Sequence, residues 1–266
     1  MRRLRLVPSF RWLVGLVVCL ALGAGNVRAD DALLIGNSFT RGLFKTINAI
    51  AKAKNKDLAA QELAVGGKTW SYHLGASATT KMLAEKQWKW VVLQDSSVEP
   101  THVGDVKKFR ADGEKFYHRV RETSPDAIVV LYETWALAPG NAIFGESSPA
   151  KFADPAEMTA ELVRNYAELA KKLEDLEPGK QVALAPVGAA FARSLELNPN
   201  IALHGPDKKH PSTEGHYLAA LVIYATLTGD TPVGPEVTPG IKVSKEVAAK
   251  LQKVAEEVVT AQRAGK

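Results

Sequence analysis

Short apolar runs that alternate with segments of helical spacing constrain this chain more than any other feature. ALLIG (32–36), WVVLQ (90–94), DAIVVLYE (126–133) and QVALAPV (181–187) are strong runs, and LAAQELAVGG (58–67) is a weaker one. None alternates polar with apolar residues, as a strand with one wet face would, so each suits a strand covered on both faces. Between and after them, apolar residues recur at helical spacing over roughly 39–54, 76–87, 103–122, 155–175 and 213–228. Strands that alternate with helices build a mainly parallel sheet, because parallel neighbours need a long crossover and the crossovers cover both faces. Such sheets bind ligands at the carboxyl ends of their strands. A final charged segment, 244–262, reads as an amphipathic helix packed on the outside, and its charges of mixed sign argue against a membrane-surface helix.

The start of the chain has a different character. Residues 1–29 carry Arg2, Arg3 and Arg5, then the apolar run WLVGLVVCLALGAG, then VRA before Asp30, which is the pattern of a secretory signal cleaved after Ala29. Val18 before Cys19 is not the small residue that lipidation requires, and Cys19, the only cysteine, leaves with the signal. The mature chain is then expected to be secreted or periplasmic, without disulfides and off the membrane. The five arginines of residues 1–29, unopposed by any acid, account for the whole formal charge of +5, so residues 30–266 carry none. Their lysines and arginines form no aromatic-interleaved basic stripe, and nucleic acid is excluded as a partner. No linker, repeat or low-complexity tract divides residues 30–266, which read as one domain.

Polar residues collect at the predicted strand ends: Gly36-Asn37-Ser38, Gly66-Gly67-Lys68-Thr69, Gln94-Asp95-Ser96-Ser97 and Glu133-Thr134-Trp135. A further polar loop, HGPDKKHPSTEGHYLAA (204–220), runs into the last strongly apolar helix. A serine hydroxyl is nearly inert at neutral pH and needs a base within hydrogen-bond reach and donors for the oxyanion its attack creates. A strand-to-helix turn offers such donors, although Asn37 or Ser38 alone reads as simply as a helix cap or a brace for the turn. Asp207 and His210 stand three apart in a loop bounded by glycine and proline, which lets the carboxylate meet Nδ1 and leaves Nε2 free. Either feature is common by itself; the combination is specific.

Taken together, these residues resemble the SGNH (GDSL-like) hydrolases. Gly36-Asn37-Ser38 matches the family's first block, and Asp207-Lys208-Lys209-His210-Pro211 matches its closing D-x-x-H-P. The resemblance implies a three-layer α/β/α sandwich, a flavodoxin-like sheet of about five strands in the order 2-1-3-4-5. It also implies Ser38 as nucleophile, His210 as general base and then acid, and Asp207 as the group that orients the imidazole. The second-block glycine falls on Gly67, with Gly66 as the other choice. The family's third block, G-x-N-D, is replaced by VVLQDSSVEP, where Gln94 can offer the same amide one methylene further out, with Ser97 as the alternative. The implied oxyanion hole is thus Ser38 N–H, Gly67 N–H and the Gln94 amide, in a divergent branch of the superfamily. The activity implied is a secreted, cofactor-free serine esterase acting on O-acetyl groups of carbohydrate. Its rivals are a lipid esterase or thioesterase, and a non-catalytic carbohydrate-binding or structural protein on the same fold.

Other readings of the same residues are weaker. GGKT is not a phosphate loop, because Glu62 stands where that motif needs its first glycine. His204, Asp207, His210, Glu214 and His216 lack any recognised ligand spacing, so no metal is expected. Trp70, Tyr72, His73, Tyr132 and Trp135 follow strand ends and read either as core or as a wall for a sugar ring; Trp70, His73 and Trp135 are the substrate-binding candidates. The segment 136–155, rich in proline and glycine, is expected to line the pocket and influence substrate choice.

Overall fold

The apolar residues 32–35, 90–93 and 129–132 are almost wholly shielded from solvent, and the reason is a parallel sheet with helices on both sides. The computed structural model describes residues 31–145, 151–234 and 240–265. The expected signal segment, 1–29, therefore lies outside the described residues. The elements run β1 (Asp31–Gly36), α1 (Leu43–Ala53), β2 (Ala59–Ala64), α2 (Trp70–Gly75), α3 (Ser77–Ala84), β3 (Trp90–Leu93) and α4 (Val106–Thr123). They continue with β4 (Ile128–Tyr132), α5 (Pro155–Leu176), β5 (Val182–Ala185), α6 (Val187–Leu197), α7 (Thr213–Thr228) and α8 (Lys245–Ala264). All pairings are parallel and the order is β2-β1-β3-β4-β5, the flavodoxin-like arrangement of an α/β/α sandwich.

The unalternated strands follow from this layering. Leu33, Ile35, Val91, Leu93, Val129 and Leu131 point into a core closed by α2 to α5, while Ala32, Leu34, Val92, Val130 and Tyr132 point into one closed by α1, α6, α7 and α8. Helix α7 is buried on nearly every side from Tyr217 to Ala225 because the sheet, α1 and α8 enclose it; α8 turns Ala248, Leu251, Val254, Ala255 and Val259 inward. Side-chain caps start the long helices where the sequence supplies them: Asp105 for α4, Asp154 followed by Pro155 for α5, Ser212 for α7 and Ser244 for α8. No helix among the described residues is long and apolar enough to cross a membrane.

Three helices differ from the sequence pattern, the short α2 among them, since it precedes the segment expected from residue 76. The first helix was expected from residue 39, yet α1 begins at Leu43. Asn37 O accepts from both Thr40 N and Arg41 N, and Gly42 at φ +85° turns the chain once more before the helix starts. Helix α6 follows β5 directly, capped at Pro186, and its glycine- and alanine-rich start carries no clear apolar period.

Candidate active site

The turn after β1 is built on a close approach that only glycine permits. A Cβ on Gly36 would lie 2.3 Å from Thr40 Oγ1 and 2.4 Å from Gln94 Oε1. Those two groups meet each other there: Thr40 Oγ1 donates to Gln94 Oε1 at 2.8 Å, and Asn37 N donates to the same oxygen at 2.8 Å. Asn37 braces the turn rather than capping a helix, since its Oδ1 accepts from Phe39 N at 3.1 Å and its Nδ2 donates to Lys68 O at 3.1 Å. From below, His73 Nε2 donates to Gly36 O at 2.9 Å; burial lowers the pKa of this imidazole and keeps it neutral.

Ser38 projects from this turn towards the loop between α6 and α7. His210 Nε2 lies 2.9 Å from Ser38 Oγ, and His210 Nδ1 lies 2.5 Å from Asp207 Oδ2. Asp207 Oδ1 accepts from Lys209 N at 3.1 Å and His210 N at 2.9 Å. Donation from the His210 side chain, then from its backbone, holds the Asp207 carboxyl down at about 2, so it is ionised at neutral pH. An ionised carboxylate requires Nδ1 to carry the proton, which leaves the Nε2 lone pair facing the serine hydroxyl.

The loop that carries this pair is held at both ends. Gly205 N donates to His210 O at 2.7 Å and Ser212 N to Leu203 O at 2.9 Å, and Lys208 adopts φ +58° at the tip. Trp135 Nε1 donates to Lys209 O at 3.1 Å. The same indole stacks on Phe39 at 4.4 Å and on Phe191 at 4.4 Å, and the Phe39 ring presents its face or edge to His210 at 5.5 Å. One tryptophan thus touches both the residue after Ser38 and the residue before His210. Around the serine, the amides of Ser38, Gly66 and Gly67 have no acceptor among the described residues, and Gly67 holds its loop at φ +69°.

Ser38, His210 and Asp207 are brought together as the sequence suggested; Gln94 and the aromatic candidates are placed otherwise. Gln94 was expected to aim its amide at the oxyanion. Its carbonyl oxygen instead faces the serine turn, and its Nε2 donates to Asp95 O, because the buried Asn37 N–H needs an acceptor and Gln94 supplies it. Ser97, the alternative donor, is buried with no hydrogen-bond partner among the described residues. Trp70, His73 and Trp135 offer no wall to a sugar: all three are buried, Trp70 against Phe109 at 5.0 Å, His73 between Gly36 O and Thr79, and Trp135 between two phenylalanines. Tyr132 is equally buried, and of that group only Tyr72 is substantially exposed, at 43 %.

The segment after β4 is split between two outcomes. Residues 146–150 lie outside the described residues, whereas Ala136, Leu137, Pro139 and Pro155 line an apolar cleft of about 210 Å³ shared with Phe191 and Leu195. Phe191 stacks on the face of Trp135 opposite Phe39, so the indole separates this cleft from the serine turn. The histidines weighed as metal ligands turn elsewhere, His204 Nε2 to Ala136 O at 3.0 Å and His216 to the backbone of Gly42. The described residues contain no cluster of three or more side chains suited to a metal ion. Sequence reasoning missed Thr40 and Arg41, whose only signal was that they follow the serine within one turn. Asp95 was read only as one of the polar residues at the end of the third strand, and its burial there was not foreseen.

No family model and no curated protein matches the chain by sequence. Solved structures do match. A DUF4886 family protein from Bacteroides uniformis superposes with TM-score 0.66 at 17% identity, covering 87% of this chain and 95% of its own. A protein described as a GDSL-like lipase from Parabacteroides merdae gives 0.56 at 18%, over 75% and 95% of the two chains. A lipase/acylhydrolase from Enterococcus faecalis gives 0.54 at 16%, over 75% and 96%. The five-stranded α/β/α sandwich of this protein is therefore the fold of the SGNH (GDSL-like) hydrolases.

Proposed function

We propose that the protein is an exported serine esterase that removes small acyl groups, foremost O-acetyl groups on carbohydrate. The observation that carries this reading is the unbroken relay from Asp207 through His210 to Ser38, with 2.5 Å and 2.9 Å between its members. Ser38 Oγ attacks the ester carbonyl as its proton passes to His210 Nε2, and the free amides of Ser38 and Gly67 receive the oxyanion. Collapse breaks the C–O bond, and His210 returns the proton to the departing alcohol. Water, deprotonated by His210, then attacks the acyl-enzyme and releases the carboxylic acid and Ser38. No step needs a cofactor. A small acyl group suits a relay that lies near the surface and is separated by Trp135 from the apolar cleft. Carbohydrate is favoured by the exposed polar residues on the loops that meet at the serine, Arg41, Lys68, Lys208 and Lys209, and export by the sequence of residues 1–29.

Hydrolysis of p-nitrophenyl acetate by residues 30–266, compared with Ser38→Ala, tests the reading. Loss of the nucleophile is expected to lower turnover on the order of a millionfold, by analogy with other serine hydrolases. A serine-directed fluorophosphonate should label Ser38 and nothing else. Wild-type rates in Ser38→Ala, or labelling at another residue, would refute the assignment.

A further inference from the structure

Arg41 sits one turn beyond Ser38 and is the exception among the arginines. Every other arginine among the described residues has a polar partner. Arg110 meets Asn165 and Glu168, Arg119 meets Thr80, Arg121 meets backbone carbonyls, Arg164 meets Glu161, Arg193 meets Glu196 and Glu257, and Arg263 meets the end of α7. The Arg41 guanidinium has neither a hydrogen bond nor an ion pair among the described residues, and the residue is exposed. Its guanidinium is nevertheless placed: a Cβ on Gly66 would lie 3.1 Å from Arg41 Nη2, so the group rests on the bare backbone of the loop that presents Gly67. Glu62 feels the Arg41 charge but makes no ion pair with it; both its oxygens accept from Gly42 N, at 2.8 and 2.9 Å.

A second cation stands on that loop. Lys68 Nζ lies 5.0 Å over the exposed Tyr72 ring and meets no carboxylate among the described residues. The backbone of Lys68 is tied to the serine turn through Asn37 Nδ2, so both cations share the rim of the site. An arginine fork with its donors open recognises a planar or tetrahedral anion, and this one stands without an ion pair beside the proposed nucleophile, in residues 30–266 whose formal charges balance.

We infer that Arg41, assisted by Lys68, selects esters that carry an anionic group, carboxylate or phosphate, beside the scissile bond. This rests on the esterase reading and narrows its substrates to acidic ones, such as acetylated uronic-acid or sugar-phosphate units. Arg41 then binds the substrate's charge and takes no part in proton transfer.

Three esters on one ring test it: mono-O-acetyl glucose, mono-O-acetyl glucuronic acid and mono-O-acetyl glucose 6-phosphate, assayed with wild type, Arg41→Gln and Arg41→Lys. Wild type is expected to show kcat/KM at least about tenfold higher on one or both charged esters than on the neutral one, and which ester gains identifies the anion. Arg41→Gln should bring that ratio close to one through KM, and Arg41→Lys should leave it between the two. A wild-type ratio near one overturns the inference. So does an equal loss on all three esters in Arg41→Gln, which would mean that Arg41 stabilises the oxyanion itself. If wild type hydrolyses none of the three and Ser38 takes no fluorophosphonate, the esterase reading fails and this inference falls with it; labelled Ser38 with equal turnover of all three removes only the charge selectivity.

Discussion

The residue that most separates sequence from structure is Gln94. Its position at the end of the third strand marked it as part of the site, and it does meet the serine turn, but with its acceptor rather than the donor that was expected. The side chain gives its acceptor to Asn37 N–H and the Thr40 hydroxyl, so it fixes the turn under Ser38 and does not reach into the oxyanion hole. The two roles predict different experiments. An oxyanion donor lost in Gln94→Ala would lower kcat and leave stability alone. A brace lost there strands a buried backbone N–H, at about 1–3 kcal/mol. Urea unfolding of Gln94→Ala is therefore expected to show a stability loss of that size together with reduced turnover, and unchanged stability would return Gln94 to the oxyanion hole. The approach of Ser38, Asp207 and His210 to one another was legible because the sequence sets these residue types at fixed offsets within short segments. The direction of one amide was not legible, because it is decided by which buried donor lacks an acceptor, and that donor lies 57 positions away.

Among the elements, the turn after β1 and the loop before α7 must meet although the chain brings them from opposite ends. Trp135 joins them, stacked on Phe39 and donating to Lys209 O. Trp135→Phe keeps the stack and removes the one hydrogen bond, worth about 0.5–1.5 kcal/mol. The expected result is a small loss of stability, a fall of about tenfold in kcat on p-nitrophenyl acetate, and faster hydrogen exchange confined to residues 204–211. A variant with wild-type kcat and exchange would show that the loop holds its place without the indole. Trp135 was read as a possible sugar platform because an aromatic beyond a strand end looks the same in sequence whether it faces solvent or two phenylalanines. The strands and the long helices were legible for the opposite reason, since burial on both faces imposes a continuous apolar run and an amphipathic helix imposes its period. Helix α6 was hidden because Pro186, Gly188 and three alanines dilute that period, and the late start of α1 was hidden because Asn37 and Gly42 act through backbone geometry.

At the scale of the whole molecule, the sandwich buries two carboxyls just past the ends of β3 and β4. Asp95 Oδ1 accepts from Trp70 N at 3.1 Å and Ser96 N at 2.8 Å, and Glu133 Oε1 accepts from Ala189 N at 2.8 Å. Burial outweighs these bonds and pushes each group up to about 7. In the unfolded chain both titrate near 4, so between about pH 4 and 7 the native state binds more protons than the unfolded one, and stability falls as pH rises through that window. Asp207 works in the other direction and lower down, because its depressed pKa is a stabilisation lost only as pH drops below 4; its exposure keeps that contribution small. The Asp95 contribution can be isolated, since Asp95→Asn keeps the oxygen that accepts from Trp70 N and Ser96 N but carries no charge at any pH. Wild type should lose stability from pH 4 to pH 8, with Asp95 accounting for up to about 4 kcal/mol. Urea midpoints for Asp95→Asn should decline less over the same range and exceed those of wild type at pH 8. Curves that run parallel for the two proteins would mean that Asp95 is ionised in the folded state at neutral pH, with its charge compensated inside the sandwich.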